Sequence, residues 1–357
     1  MKSNKVTLTA TLSFLILLAT QFTFAQEPEW KKANSTAAVA RERDEYALAQ
    51  ASYAEVIELQ IRNLGADSLQ VAVSLNNLAA TYQDQSKYPL AEQAYRQALE
   101  ILEKDPGQNA SVAKTLNNLA GLYQEEGLDD KAEPLYIQAS VIWGGLGKTE
   151  IANETITAIG LADAYRHLNQ DGNAEPQYRR ALILLNEQGK SESTNAIDAM
   201  IRLGEIYRSR SDNADAAPIY ARLLAIWEKS SLLENPEAIA VLANLGEIYR
   251  SEGKYAEAEP LLAQALKAAE LTLGPSHLEV AARLNNLALL YYCEGRYNAA
   301  EPFYKRALEI RRKNLGPENP AVMQTMQYYA QLLRQQGREE DAQKLEAQAA
   351  RSVAAHL

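Results

Sequence analysis

From Leu284 the apolar positions follow a helical period: Leu284, Leu287, Ala288 and Tyr291 stand at i, i+3, i+4 and i+7, one face of a first helix. Gly295 interrupts the pattern, and Ala300, Tyr304 and Ala307 then line one face of a second helix. The same pair of patterns recurs along the chain. Comparable blocks begin at 75, 116, 158, 200, 242, 284 and 326, spaced by 41 and then five times by 42 residues, and extension backwards places another start at 33. Sixteen positions into every block stands alanine: Ala49, Ala91, Ala132, Ala174, Ala216, Ala258, Ala300 and Ala342. Tyrosine recurs seven positions in (Tyr82, Tyr123, Tyr165, Tyr207, Tyr249, Tyr291) and twenty positions in (Tyr53, Tyr95, Tyr136, Tyr178, Tyr220, Tyr304). Gly127, Gly172, Gly253, Gly295 and Gly337 are expected in the turn between the two helices, where positive φ is useful. "LGPSHLE" from Leu273 and "LGPENPA" from Leu315 read as helix stops between blocks. Prolines at 134, 176, 218, 260 and 302 fall early in each second helix, where a slight bend is expected.

One helix pair cannot enclose its own apolar face, but stacked pairs bury one face continuously. The expected fold is an all-α solenoid of about eight antiparallel helix pairs. The pattern Leu284-x2-Leu287-Ala288-x2-Tyr291…Ala300-x3-Tyr304 resembles the tetratricopeptide repeat, with leucine for its tryptophan and alanine for its glycine. Leu203-Gly204 and Leu245-Gly246 restore that glycine. The "LNNLA" starts, "AEPLY" and "LGP" linkers are similar to the kinesin light chain type of the repeat. The resemblance covers about residues 33–355. It implies a right-handed superhelix whose first helices line a concave groove.

The N-terminus belongs to another class. Lys2 and Lys5 precede an apolar run from Val6 to Ala19, followed by Thr23-Phe24-Ala25 and polar Gln26-Glu27-Pro28. A charged start, a short apolar core and a small-x-small end describe a secretory signal peptide over 1–25. A linker is then expected over 26–32, with the solenoid over 33–357 and its last helix, 338–355, as a cap with Glu346 in the tyrosine slot. The alternative is an uncleaved anchor in an inner membrane, although the run is short of the roughly 20 apolar residues a span needs. No later apolar run is long enough to span.

Of 357 residues, 46 are acidic and 36 basic; without residues 1–25, which hold two lysines, the net charge is −12. That balance argues against nucleic acid. One cysteine, Cys293, permits no internal disulfide, which together with the signal points to a bacterial periplasm or exterior. No Cys/His cluster has metal spacing, and His167, His277 and His356 lie in distant blocks. "GGLGKT" over Gly144–Thr149 matches the tail of a phosphate-binding loop, but its first glycine would fall at Ile142 and it follows a helix, not a strand. No nucleotide, metal or other cofactor is expected, and no enzyme activity, since Cys293 has no visible base.

In the resembled family the first helices face the groove. Two positions into the blocks stand Asn77, Asn118, Gly160, Arg202, Asn244, Asn286 and Tyr328. The family's matching asparagines hold the backbone of an extended peptide, a role that carries to Asn77, Asn118, Asn244 and Asn286, with Asn76, Asn117 and Asn285 as second candidates. Eight positions in stand Arg166, Arg208, Arg250 and Arg334, the first three preceded at i−3 by Asp163, Glu205 and Glu247. These pairs either neutralise one another or present a stripe of guanidinium forks to acidic partner groups. Arg202 is expected to lack a carboxylate partner. The resulting expectation is an exported scaffold binding an extended, partly acidic peptide at Asn77, Asn118, Arg166, Arg202, Arg208, Asn244, Arg250 and Asn286. The alternative is a carbohydrate-binding or envelope-assembly and export accessory protein.

Overall fold

The computed structural model describes residues 29–354, so the expected signal segment and its cut after Ala25 lie outside the described residues. Among the described residues there are sixteen α-helices and no strand. The chain divides into two compact units at Gln188 and Gly189.

Unit 1 holds four helix pairs: α1 (Glu29–Glu42) with α2 (Tyr46–Leu64), α3 (Leu69–Gln83) with α4 (Tyr88–Leu102), α5 (Asn109–Glu125) with α6 (Asp129–Leu146), and α7 (Ile151–His167) with α8 (Asp171–Glu187). Unit 2 holds four more: α9 (Thr194–Ser209) with α10 (Asn213–Lys229), α11 (Pro236–Ser251) with α12 (Tyr255–Leu273), α13 (Leu278–Cys293) with α14 (Tyr297–Leu315), and α15 (Pro320–Gln335) with α16 (Glu339–Ala354). Within each unit a second helix also packs on the next first helix, which buries the apolar stripe of each pair. Helix α1 starts at Glu29, so residues 29–32, expected as linker, are helical.

The alanine slot explains the close approach of the paired helices. All eight alanines are 0% exposed, which leaves no room for a larger side chain. The tyrosines twenty positions in are buried around them. The turn obeys one rule through both units: position eleven of every block has positive φ. Glycine takes it at Gly127, Gly253, Gly295 and Gly337, and Asp44, Ser86, Asn169 and Ser211 take it elsewhere. Gly172 is therefore a correction. It lies in the first turn of α8, and Asn169, a residue type that tolerates the left-handed region, makes the turn.

Gly274 and Gly316 end α12 and α14 with positive φ, as the "LGP" signals predict. The next helices start at capped ends, for example Asn319, whose side chain accepts from the Ala321 N–H at 2.9 Å. The "GGLGKT" stretch is the end of α6 and a short 3-10 turn over Gly147–Glu150. The five recurrent prolines lie inside continuous helices. At the end of unit 2, Arg334 holds Glu346 through two bonds of 2.7 Å each, so the tyrosine slot of the last block is filled by an ion pair on a polar outer helix.

Candidate functional site

Two hydrogen bonds set the register of three first helices in unit 1. Asn76 Nδ2 donates to Thr115 Oγ1 at 2.9 Å, joining α3 to α5. Asn117 Nδ2 donates to Thr157 Oγ1 at 2.6 Å, joining α5 to α7. In both cases the asparagine is one residue past a block start and the threonine one residue before the next. These asparagines, second candidates for peptide contact, are instead rungs between blocks.

The residues after them behave differently. Asn77 and Asn118 line one cleft of 490 Å³ on the first-helix face of unit 1. Neither side chain has a hydrogen-bond partner among the described residues, and both are half-buried. Each offers two donors and one acceptor to whatever enters. Ala80, three residues after Asn77 on α3, also lines the cleft and presents only a methyl group. Lys114, one helical turn before Asn118, is exposed on the rim and has no carboxylate partner among the described residues.

The far wall of the cleft is tied together by side-chain hydrogen bonds. Arg41 grips Asp84 through Nε at 2.6 Å and Nη2 at 3.2 Å, and this hydrogen bond raises the arginine pKa. The Tyr95 hydroxyl donates to Gln83 Oε1 at 3.0 Å, and Gln83 Nε2 donates to Glu125 Oε1 at 2.7 Å. Burial pushes the Tyr95 phenol well above its ordinary value, so it stays a neutral donor. The row of asparagines stops at Gly160 for a steric reason. A Cβ there would lie 2.5 Å from the Tyr136 ring, and the Tyr136 hydroxyl is fixed on Gln124 at 2.7 Å. On the same helix, Asp163 accepts from Tyr178, and His167, one residue past Arg166, lies 3.1 Å from Asp129. Arg166 is thus placed in α7 but outside the lining of the Asn77–Asn118 cleft.

Of the predicted residues of unit 2, Asn286 and Arg202 are held by carboxylates. Asn286 Nδ2 donates to Glu247 Oε1 at 2.5 Å. Asn244 is half-buried on α11, and the nearby Tyr220 hydroxyl, whose pKa is raised by burial, is itself buried without a hydrogen-bond partner among the described residues. Arg250 Nη1 lies 3.6 Å from the sulfur of exposed Cys293. Arg202 is a correction: its Nη1 is 3.6 Å from Glu205 Oε2, three residues on. Asn285 is buried, and its Oδ1 has no partner. Trp143 and Trp227 are 1% and 3% exposed, so these two indoles present no open face for sugar stacking.

Sequence reasoning missed Lys114, Val73, Arg41 and Asp84 as parts of the cleft. The signal was the helical period itself, because each first helix after α1 starts six or seven residues before the block start used to count positions, and one further turn back from Asn118 reaches Lys114.

This architecture of paired helices with a fixed alanine, a tyrosine and a left-handed turn defines an all-α repeat solenoid of the protein-interaction class. The tetratricopeptide repeat model matches residues 33–104, 111–187, 195–270, 237–313 and 279–353, and the chain belongs to that family. Among solved structures it is similar to the apo form of RapI, at 14% identity over 80% of this chain and 98% of that one, with a TM-score of 0.52. It is also similar to BtubC from P. vanneervenii (23% identity, 77% and 92% covered, TM-score 0.39). A candidate kinesin light chain from Podosopora anserina, with nearly identical TPR-like repeats, matches at 23% identity (57% and 96% covered, TM-score 0.46). No curated protein matches the chain. As a tetratricopeptide repeat protein the chain is an interaction scaffold for protein or peptide partners, and no enzymatic family is indicated. Among the described residues no helix is long and apolar enough to cross a membrane.

Proposed function

We propose that the chain holds an extended segment of a partner protein on the first-helix face of unit 1, with Asn77 and Asn118 bonding the segment's backbone. The observation that carries this reading is the pair of half-buried, unpartnered amides facing one cleft. An amide can both donate to a peptide carbonyl and accept from a peptide N–H, so a row of them binds backbone whatever its side chains. Lys114 adds attraction for an acidic side chain, local to this cleft in a chain whose net charge is −10. The charge balance argues against a phosphate backbone as the extended ligand. Export to the periplasm or the cell exterior, with removal of residues 1–25, fits the N-terminal sequence pattern, and the scaffold acts there by binding and not by catalysis.

Peptides recovered from a display library on the full chain provide the test. Asn77→Ala with Asn118→Ala should weaken every recovered peptide by about a hundredfold, since two amides lose about two hydrogen bonds each. Asn244→Ala with Asn286→Ala should leave affinity within about twofold. The opposite ranking would move the site to unit 2.

A further inference from the structure

We infer that the unit 1 groove also reads side chains, selecting an acidic residue flanked three positions away on each side by an apolar one. This rests on the extended-segment reading above and names the segment's chemistry. Val73, Lys114 and Ile156 occupy one position, two residues before the block starts at 75, 116 and 158. The two rungs make the equivalence physical: Lys114 directly precedes Thr115 and Ile156 directly precedes Thr157, the two threonines that accept from Asn76 and Asn117. The three side chains therefore form a row across α3, α5 and α7, one turn before Asn77, Asn118 and Gly160.

Both outer members are aliphatic groups open to solvent, Val73 at 49% and Ile156 at 55% exposure. The middle member is a cation without a carboxylate partner among the described residues. Asp84, the carboxylate that lines the cleft with it, is held by Arg41. The row thus reads apolar, basic, apolar. Neighbouring packed helices lie about 9 Å apart, and a segment in the extended polyproline-II conformation advances about 3.1 Å per residue with three residues per turn, so that side chains three apart face the same way. One helix step therefore corresponds to about three residues of ligand. The complementary pattern is apolar-x-x-acidic-x-x-apolar, which is the same read in either chain direction, so the match does not depend on how the segment enters. Because the charge is exposed, the acidic preference should fade with salt.

Fluorescence anisotropy on the full chain tests this with end-blocked nonapeptides of serine carrying leucine at positions 2 and 8 and aspartate at 5. An isomer with the three residues adjacent controls for composition. The spaced peptide should bind about tenfold tighter than the isomer, the size of one charge-assisted bond with correct register. Lys114→Glu, an exposed substitution checked by circular dichroism, should remove that advantage, and a peptide with lysine at position 5 should regain it. Equal binding of the two isomers, still lost in the Asn77→Ala, Asn118→Ala chain, would overturn the register while leaving the backbone-binding reading intact. Failure of the lysine peptide to regain affinity would overturn the role of Lys114. Absence of binding by every peptide, or binding indifferent to the asparagine pair, would sink both readings.

Discussion

Asn118 in unit 1 and Asn286 in unit 2 stand at the same position of their blocks, yet one faces an open cleft and the other is tied to a carboxylate. The difference comes from the preceding block. Five positions into it stands Ala80 in the first case and Glu247 in the second. A methyl group cannot accept a hydrogen bond, so Asn118 keeps its donors, while Glu247 takes the Asn286 amide at 2.5 Å. The rungs diverge in the same way. Thr115 and Thr157 accept from asparagines of the preceding block, whereas Thr325 accepts from Arg311 at 2.6 Å. A repeated residue keeps its place in a repeat protein, but its availability is set by the neighbour that stacks on it.

The strongest attack on this contrast is to extend the asparagine row of unit 1 by force. Gly160→Asn places a Cβ 2.5 Å from the Tyr136 ring, and that ring is buried and held by Gln124. Overpacking of this kind costs about 1–3 kcal/mol, so the denaturant midpoint should fall and peptide affinity should not rise. An unchanged midpoint would mean that Tyr136 swings aside and that the row ends for another reason.

A smaller effect comes from exchanging the residues that decide availability. Ala80→Glu should give Asn118 the carboxylate that Asn286 has, and it also brings a negative charge near Lys114. Peptide affinity should drop about tenfold, or about 1.4 kcal/mol, with melting unchanged. Glu247→Ala should free Asn286 without affecting binding at unit 1. If Ala80→Glu binds as well as the parent chain, the position-five rule is wrong.

The smallest effect concerns the turns. Three of the four turns in unit 1 hold a non-glycine residue at positive φ (Asp44, Ser86, Asn169), against one of four in unit 2 (Ser211). The left-handed conformation costs a residue with a Cβ about 1–2 kcal/mol, part of which glycine returns as lost chain entropy. Ser86→Gly should therefore stabilise the protein by about 0.5–1 kcal/mol, and Gly253→Ala should destabilise it by a similar amount. Calorimetry that shows no gain for Ser86→Gly would mean that the serine side chain contributes as much in the turn as its strain costs.

Periodicity alone carried the architecture. The eight alanines, the two tyrosine slots and the linkers all fell where their spacing placed them, because each is fixed by local helix geometry and by one neighbour at constant separation. Even the turn position was legible, since Asp, Ser, Asn and Gly share it at an invariant offset; Gly172 misled only because glycine was sought by type and not by position. The pairing of Arg202 with Glu205 was likewise within one helix turn and readable. The tertiary structure alone decided which asparagines stay open, which become rungs and which are captured. Their partners lie about forty residues away, across the contact between stacked blocks, and a shift of one position along a helix turns a side chain by about 100°. Asn76 and Asn77 are adjacent in sequence and both line the cleft, yet they differ in availability: Asn76 is tied to Thr115, while the Asn77 side chain has no partner among the described residues.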